Sequence, residues 1–256
     1  MDIDQVLQFV PTFVLVFFRV TGMMIFAPFF GSDRIPRRVR LLIALVLAAG
    51  MSGSVKGPAA LPESSWQLAL SIGGEMAFGI AMGMALSFTF IAAQGAGEII
   101  GQQMGLNLGE TFDPQFGKSS SVVGDLYFML TLIIFLLIDG HRIMIQALQS
   151  SFASLPLLSL GVDRDLLHTL ISLLTACTTL SLQLAAPLLV TILVVDLALG
   201  CIGRAMPQIN VMTAGLTVRS LVGMAVTIVG IGLTVIVIDS HLRDSLNFIQ
   251  LKWLGR

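Results

Sequence analysis

Six stretches of the chain, at about residues 6–30, 39–53, 66–93, 122–138, 166–203 and 218–238, are apolar and almost free of charge. Runs of this kind leave few choices of fold. A helix needs about 20 residues to cross the ~30 Å apolar layer of a bilayer. Away from water the backbone must satisfy its own hydrogen bonds, which a helix does within a single segment. The length and continuity of the runs therefore predict an all-α, multi-helix, membrane-associated protein, not a barrel of strands. The run at 39–53 is short for a crossing. The run at 166–203 is long, roughly 57 Å as one helix at 1.5 Å per residue. Pro187 and Asp196 inside it predict a kink or a helical hairpin.

Composition agrees. Hydrophobic residues make up 55% of the chain and charged residues 11%, against about 25% charged in a soluble domain. The net charge of −1 gives no basic field to attract nucleic acid. Cys177 and Cys201 both lie in apolar surroundings and read as small buried hydrophobes, not a disulfide. The N-terminus carries Asp2 and Asp4 where a signal peptide would carry basic residues, so the first apolar segment is expected to be kept. Arg34, Arg37, Arg38 and Arg40 cluster after that segment. The positive-inside rule would place this loop in the cytoplasm and the N-terminus outside.

Arg19, Glu75, Asp125 and Asp196 fall within apolar runs. Charges at such depth are costly and face a bundle interior, a cavity or a partner charge. Interhelical pairing is the simpler reading; a proton or ion path is the alternative.

Between two apolar runs lies "GEIIGQQMGLNLGETFDPQFGKSSS", residues 97–121. Its first part continues a ladder of small residues, Ala93, Gly97, Gly101, Gly105 and Gly109. Residues four apart share a helix face, and small residues there allow close helix–helix approach. Gly79 and Gly83 form a shorter upstream stripe. After Gly109 the pattern breaks at Pro114, Gly117 and Ser119–Ser121, while Leu106, Leu108, Phe112 and Phe116 stay apolar. Irregular backbone at membrane depth is tolerated when buried in protein or lining a cavity. An apolar loop of this kind suits a hydrophobic stopper. The nucleotide-like "GAGEIIG" has the wrong spacing and follows no strand, so no cofactor is expected. His141, His168 and His241 have no ligand partners at metal-site spacing. No nucleophile elbow is present, so neither a metal nor a catalytic site is expected. Interrupted helices near Pro187 and Asp196 leave a multi-pass small-solute transporter or channel as the alternative, although no internal repeat is visible.

Four segments in order give a resemblance over nearly the whole chain. They are "RVTGMMIFAPFFGSDRIPRRVRLLIAL", with Arg19, Pro28, Pro36 and Arg37, and "AGEIIGQQMGLNLGETFDPQFG", with Gly97, Glu98, Gly101, Gln103, Gly105, Asp113 and Pro114. "DGHRIMIQALQSSFASLP" follows, with Gly140, His141, Leu155 and Pro156, then "LALGCIGRAMPQINVMTAGL", with Gly200, Arg204, Pro207, Gln208 and Asn210. Together they resemble the FliR family of flagellar export-gate proteins, called SctT in virulence secretion. The resemblance implies one domain over 1–256 and kinked helical hairpins that assemble into a helical hetero-oligomer with FliP-like and FliQ-like membrane proteins and FlhB. It implies a non-enzymatic subunit, without cofactor, of a closed pore that exports unfolded flagellar proteins. The setting implied is the bacterial inner membrane at the flagellar basal body. It assigns the pore plug to Leu106, Leu108, Phe112, Asp113, Pro114 and Phe116. Gly97, Gly101, Gly105 and Gly109, with Arg204, Pro207 and Asn210, become helix-packing and partner-contact positions. It also implies that the spiral sits largely above the bilayer plane, which would explain the short and overlong runs and the internal charges.

Overall fold

A computed structural model of the chain describes residues 3–28, 35–55, 57–58, 64–106, 121–158, 164–206 and 211–254. Among these residues there are helices and no strands: α1 (Ile3–Phe26), α2 (Arg37–Ser52), α3 (Ser65–Gln103), α4 (Val122–Leu137), α5 (Gly140–Ser154), α6 (Arg164–Ala205) and α7 (Val211–Leu254). This is the all-α, multi-helix architecture that the apolar runs predict. Helices α1, α3, α6 and α7 each contain a stretch long and apolar enough to cross a membrane. Helices α4 and α5 meet that test only as a pair, bent by 67° at their break. Helix α2 has 16 residues, about 24 Å of helix, and falls short of a crossing.

Two boundaries differ from the sequence reading. The long run does not fold back at Pro187: α6 continues through it for 42 residues. Proline removes one backbone donor, and long apolar flanks on both sides keep the rest of the helix paired. The ladder segment is not separate from the run before it, because α3 continues to Gln103 over 39 residues.

Two compact units emerge, one of residues 1–88, 135–174 and 242–256, the other of 89–134 and 175–241. In the first unit α1 and α3 meet along a seam of α3 residues four apart: Glu75, Gly79, Gly83 and Ser87. A Cβ on Gly79 would collide with the Arg19 carbonyl, and one on Gly83 with the Met23 carbonyl. From the other side, a Cβ on Gly22 would strike the Met76 carbonyl. The backbones therefore touch, as small-xxx-small packing allows. The Ser87 hydroxyl donates to the Phe26 carbonyl at one end of the seam.

At the other end sits an ion pair with no solvent exposure on either side chain. Arg19 Nε donates to Glu75 Oε2 at 2.6 Å. Its Nη1 donates to Ser151 Oγ at 3.2 Å and its Nη2 to the Leu155 carbonyl at 3.3 Å. The guanidinium lies 4.9 Å from the Phe78 ring centroid and 4.4 Å from that of Phe152. Glu75 Oε1 accepts the Leu158 N–H at 3.1 Å, and Leu158 holds a left-handed φ of 68°. One charged cluster thus ties α1, α3, α5 and the segment after α5. In the same unit Asp139 turns the chain at φ 57°. The next residue, Gly140, packs so closely on the Phe135 ring that a Cβ would not fit.

In the second unit the Ser181 hydroxyl donates to the Ala92 carbonyl at 2.8 Å, and Phe90 meets Phe128 edge-on at 5.7 Å. Only 17% of the apolar windows of α6 and α7 is buried, against 67% for α3. Cys177 is buried, but Cys201 is exposed. The second cysteine thus departs from the buried reading, because the C-terminal part of α6 leaves much apolar surface uncovered within the chain.

Removing one member of a buried ion pair strands the other charge, which costs roughly 3–5 kcal/mol. Glu75→Ala is therefore expected to destabilise the detergent-solubilised chain by about that amount. The double replacement Arg19→Met with Glu75→Leu should cost less than Glu75→Ala alone. Thermal unfolding followed by circular dichroism reads both; additive losses would contradict the pairing.

Candidate functional site

The stretch between α3 and α4 is the one that both hydrophobic pattern and resemblance single out. Its stem is described on both sides. On α3, Ala93, Gly97 and Gly101 are buried along one face. A Cβ on Gly97 would lie 2.6 Å from the Val123 carbonyl and 2.7 Å from Gly124 Cα. Reciprocally, a Cβ on Gly124 would come within 3.1 Å of Glu98 Cγ and 3.3 Å of the Gln94 carbonyl. The C-terminal part of α3 and the first turn of α4 are thus in backbone contact, glycine on glycine.

Gly105 does not continue the helical ladder. It adopts φ 74° and caps α3. Its N–H donates to the Gln102 carbonyl and the Leu106 N–H to the Gly101 carbonyl, both at 3.0 Å. This is the Schellman ending, which requires a left-handed residue and so favours glycine. The break therefore comes at Gly105, earlier than the expected break after Gly109. Met104 anchors the cap: it is buried, its carbonyl accepts the Ser220 hydroxyl at 2.7 Å, and its side chain fills the space beside Gly223. On the far side, Ser121 caps α4. Its carbonyl accepts the Asp125 N–H at 2.8 Å, and its hydroxyl accepts the Gly124 N–H at 3.3 Å. Asp125 is exposed in the first turn of α4. A carboxylate there is favoured by the helix dipole, so it is not a buried charge.

Of the expected plug residues, Leu106 is described and 47% exposed just past the cap. Leu108, Phe112, Asp113, Pro114 and Phe116, with Gly109, lie outside the described residues. Arg204 is exposed in the last turn of α6, where a cation suits the helix dipole. Pro207 and Asn210 also lie outside the described residues.

The fourth charge from the apolar runs, Asp196, is paired. Arg219 Nε donates to its Oδ1 at 2.6 Å, with the two side chains 40% and 34% exposed. This bond sets α6 beside α7. Arg219 was not singled out from sequence, yet a signal existed: residues 196 and 219 are equidistant from the Pro207–Gln208 break, as partners in a hairpin must be. Among the described residues no three His, Cys, Asp or Glu side chains are grouped to hold a metal ion.

The sequence matches the family model of bacterial export proteins, family 1, over residues 10–245. The chain belongs to this family. It is 26% identical over 239 residues to the flagellar biosynthetic protein FliR of Bacillus subtilis, covering 92% of each chain. To FliR of Escherichia coli it is 29% identical, over 87% of this chain and 85% of that one. It is also 26% identical to the surface presentation of antigens protein SpaR of Shigella flexneri, over 88% of each. The family match spans both units and every feature of the stem.

The stem glycines should differ in what they tolerate. In this export protein Gly97→Ala presses on the backbone of residues 123–124, whereas Gly95→Ala, on the same helix, meets nothing nearer than Ser181 Oγ at 3.5 Å. Gly97→Ala is expected to cost about 1–3 kcal/mol, and Gly95→Ala clearly less. Gly105→Ala forces an L-residue into the left-handed region at roughly 1–2 kcal/mol. Melting temperatures of the three variants in one detergent check the order; equal losses at 95 and 97 would contradict it.

Proposed function

We propose that this chain is a core subunit of a flagellar type III secretion export gate, part of a closed pore for unfolded export substrates. The observation that carries the reading is the stem. Two helix ends are held together by glycine contact and capped at Gly105 and Ser121. They bracket residues 107–120, which carry Leu108, Phe112 and Phe116. A firm stem with large apolar side chains in the sequence between its ends is the form a stopper needs: the base stays in register while the intervening residues are displaced. In this reading Leu106, Leu108, Phe112, Asp113, Pro114 and Phe116 form the plug. The likeness to FliR proteins over most of the chain supports the flagellar setting.

The chain works as one domain, without a cofactor and without a catalytic step. Its partners are FliP-like and FliQ-like membrane proteins and FlhB, in the inner membrane at the flagellar basal body. Support for a protein assembly comes from α6 and α7. Val190, Leu193 and Leu197 on one, and Ile228, Val229 and Ile236 on the other, are 59% to 86% exposed. The partly exposed Asp196–Arg219 pair interrupts this apolar surface, and a charged pair is costly against lipid tails. A partner with polar groups covers it better. Gly97 and Gly101 serve helix packing at the stem, while Arg204, Pro207 and Asn210 mark a partner-contact end.

Deleting residues 108–116 leaves both caps in place. In the assembled complex reconstituted into vesicles, the deletion is expected to raise leakage of small ions several-fold. Leakage equal to that of the parent complex, with assembly shown intact by size, would overturn the stopper.

A further inference from the structure

The second unit contains a partly open cavity of about 160 Å³ between α3, α4, α6 and α7, with its mouth at the exposed Gln183, Pro187 and Leu233. Its wall is mainly apolar, with Ile100, Leu184, Leu188, Leu233 and Val237 among the lining residues. Apolar cavities on the order of 150 Å³ take up a single aromatic ring. Pro187 and Gly230 face the same space from α6 and α7. Glycine at 230 contributes to the void, since a Cβ there would meet nothing within 4 Å.

The threonine hydroxyls of the wall have a consistent bias. The Thr227 hydroxyl gives its proton to the Gly223 carbonyl at 2.8 Å. The Thr234 hydroxyl gives its proton to the Gly230 carbonyl at 3.1 Å. A hydroxyl has one proton and two lone pairs, so these oxygens retain only acceptor capacity. Pro187 adds another acceptor. It has no N–H for the carbonyl of Gln183, four residues earlier in the helix, and both residues line the cavity. Among the lining side chains, only the amide of Gln183, an exposed residue, keeps uncommitted N–H donors.

We propose that this cavity is a binding site for a small single-ring aromatic molecule bearing a hydroxyl, of the phenol class. The ring fills the apolar space, and its O–H donates to the acceptor edge formed by Thr227, Thr234 and the Gln183 carbonyl. A ligand without a donor leaves that edge unpaired, which selects against plain hydrocarbons. The site is independent of the central loop and of the export reading.

The test is a ¹⁹F NMR titration of the full chain in detergent with 4-fluorophenol and, separately, with 4-fluorotoluene, its near-isostere without the hydroxyl. Saturable binding of 4-fluorophenol is expected, with 4-fluorotoluene at least about tenfold weaker, the loss of one good hydrogen bond. Gly230→Leu places a side chain in open space and should abolish binding while the circular dichroism and elution volume stay those of the parent. Thr227→Val, close in shape, should narrow the preference for the phenol and leave the toluene unchanged. Non-saturable signal, or binding unchanged in folded Gly230→Leu, is partition into the micelle and overturns the site. Equal affinity for the two probes overturns the acceptor edge and with it the ligand class.

Discussion

A guanidinium with no access to water must be matched group by group, and Arg19 is. Its partners come from three places in the chain: Glu75 and the Phe78 ring on α3, Ser151 and the Phe152 ring on α5, and the Leu155 carbonyl after α5. Each is useful only if the others are in register, because a half-satisfied buried charge is worse than none. The seam of Gly79, Gly83 and Ser87 follows from Glu75 at the helical spacing of four. Close backbone contact between α1 and α3 is what brings the short reach from Glu75 to Arg19 into hydrogen-bond range. The strained backbone at Leu158 has a counterpart in the same cluster, since its N–H completes the carboxylate.

The second unit uses neutral contacts for the same purpose. Gly97 on Gly124, Met104 under Ser220 and Gly223, and the two helix caps hold the stem without buried charge. The half-exposed Asp196–Arg219 pair stands in contrast to Arg19–Glu75. In water such a pair is worth little, so its contribution lies in matching α6 to α7 in register more than in stability. The exposed apolar surface of α6 and α7 needs an apolar cover, lipid or protein, and the Asp196–Arg219 pair within it is the physical ground for proposing a protein neighbour.

Much of this was legible. The apolar runs gave the helices, because period and length are local properties. Charges inside those runs pointed to Arg19, Glu75 and Asp196 as residues needing partners. Their identities were less visible: Arg19 and Glu75 are 56 residues apart, and only the tertiary fold joins Arg19 to the Leu155–Pro156 segment, which a separate motif had marked. Asp125 looked buried by its neighbours but sits in an exposed first turn. Glycine carried two meanings that spacing alone does not separate. Gly97 is a contact glycine, whereas Gly105, in the same register, is a helix cap. Of the kink or hairpin expected at Pro187, the hairpin is absent: α6 runs on through it, since long apolar flanks outweigh one missing hydrogen bond. The plug positions from Leu108 to Phe116 rest on apolar pattern and family likeness.

The most direct measurement is native mass spectrometry of the tagged chain, co-expressed with its genomic neighbours and extracted in mild detergent. An export-gate subunit predicts a single copy of this chain joined to several copies of two smaller membrane proteins. A monomer or a homo-oligomer, recovered while those neighbours are present in the same membranes, would contradict that reading.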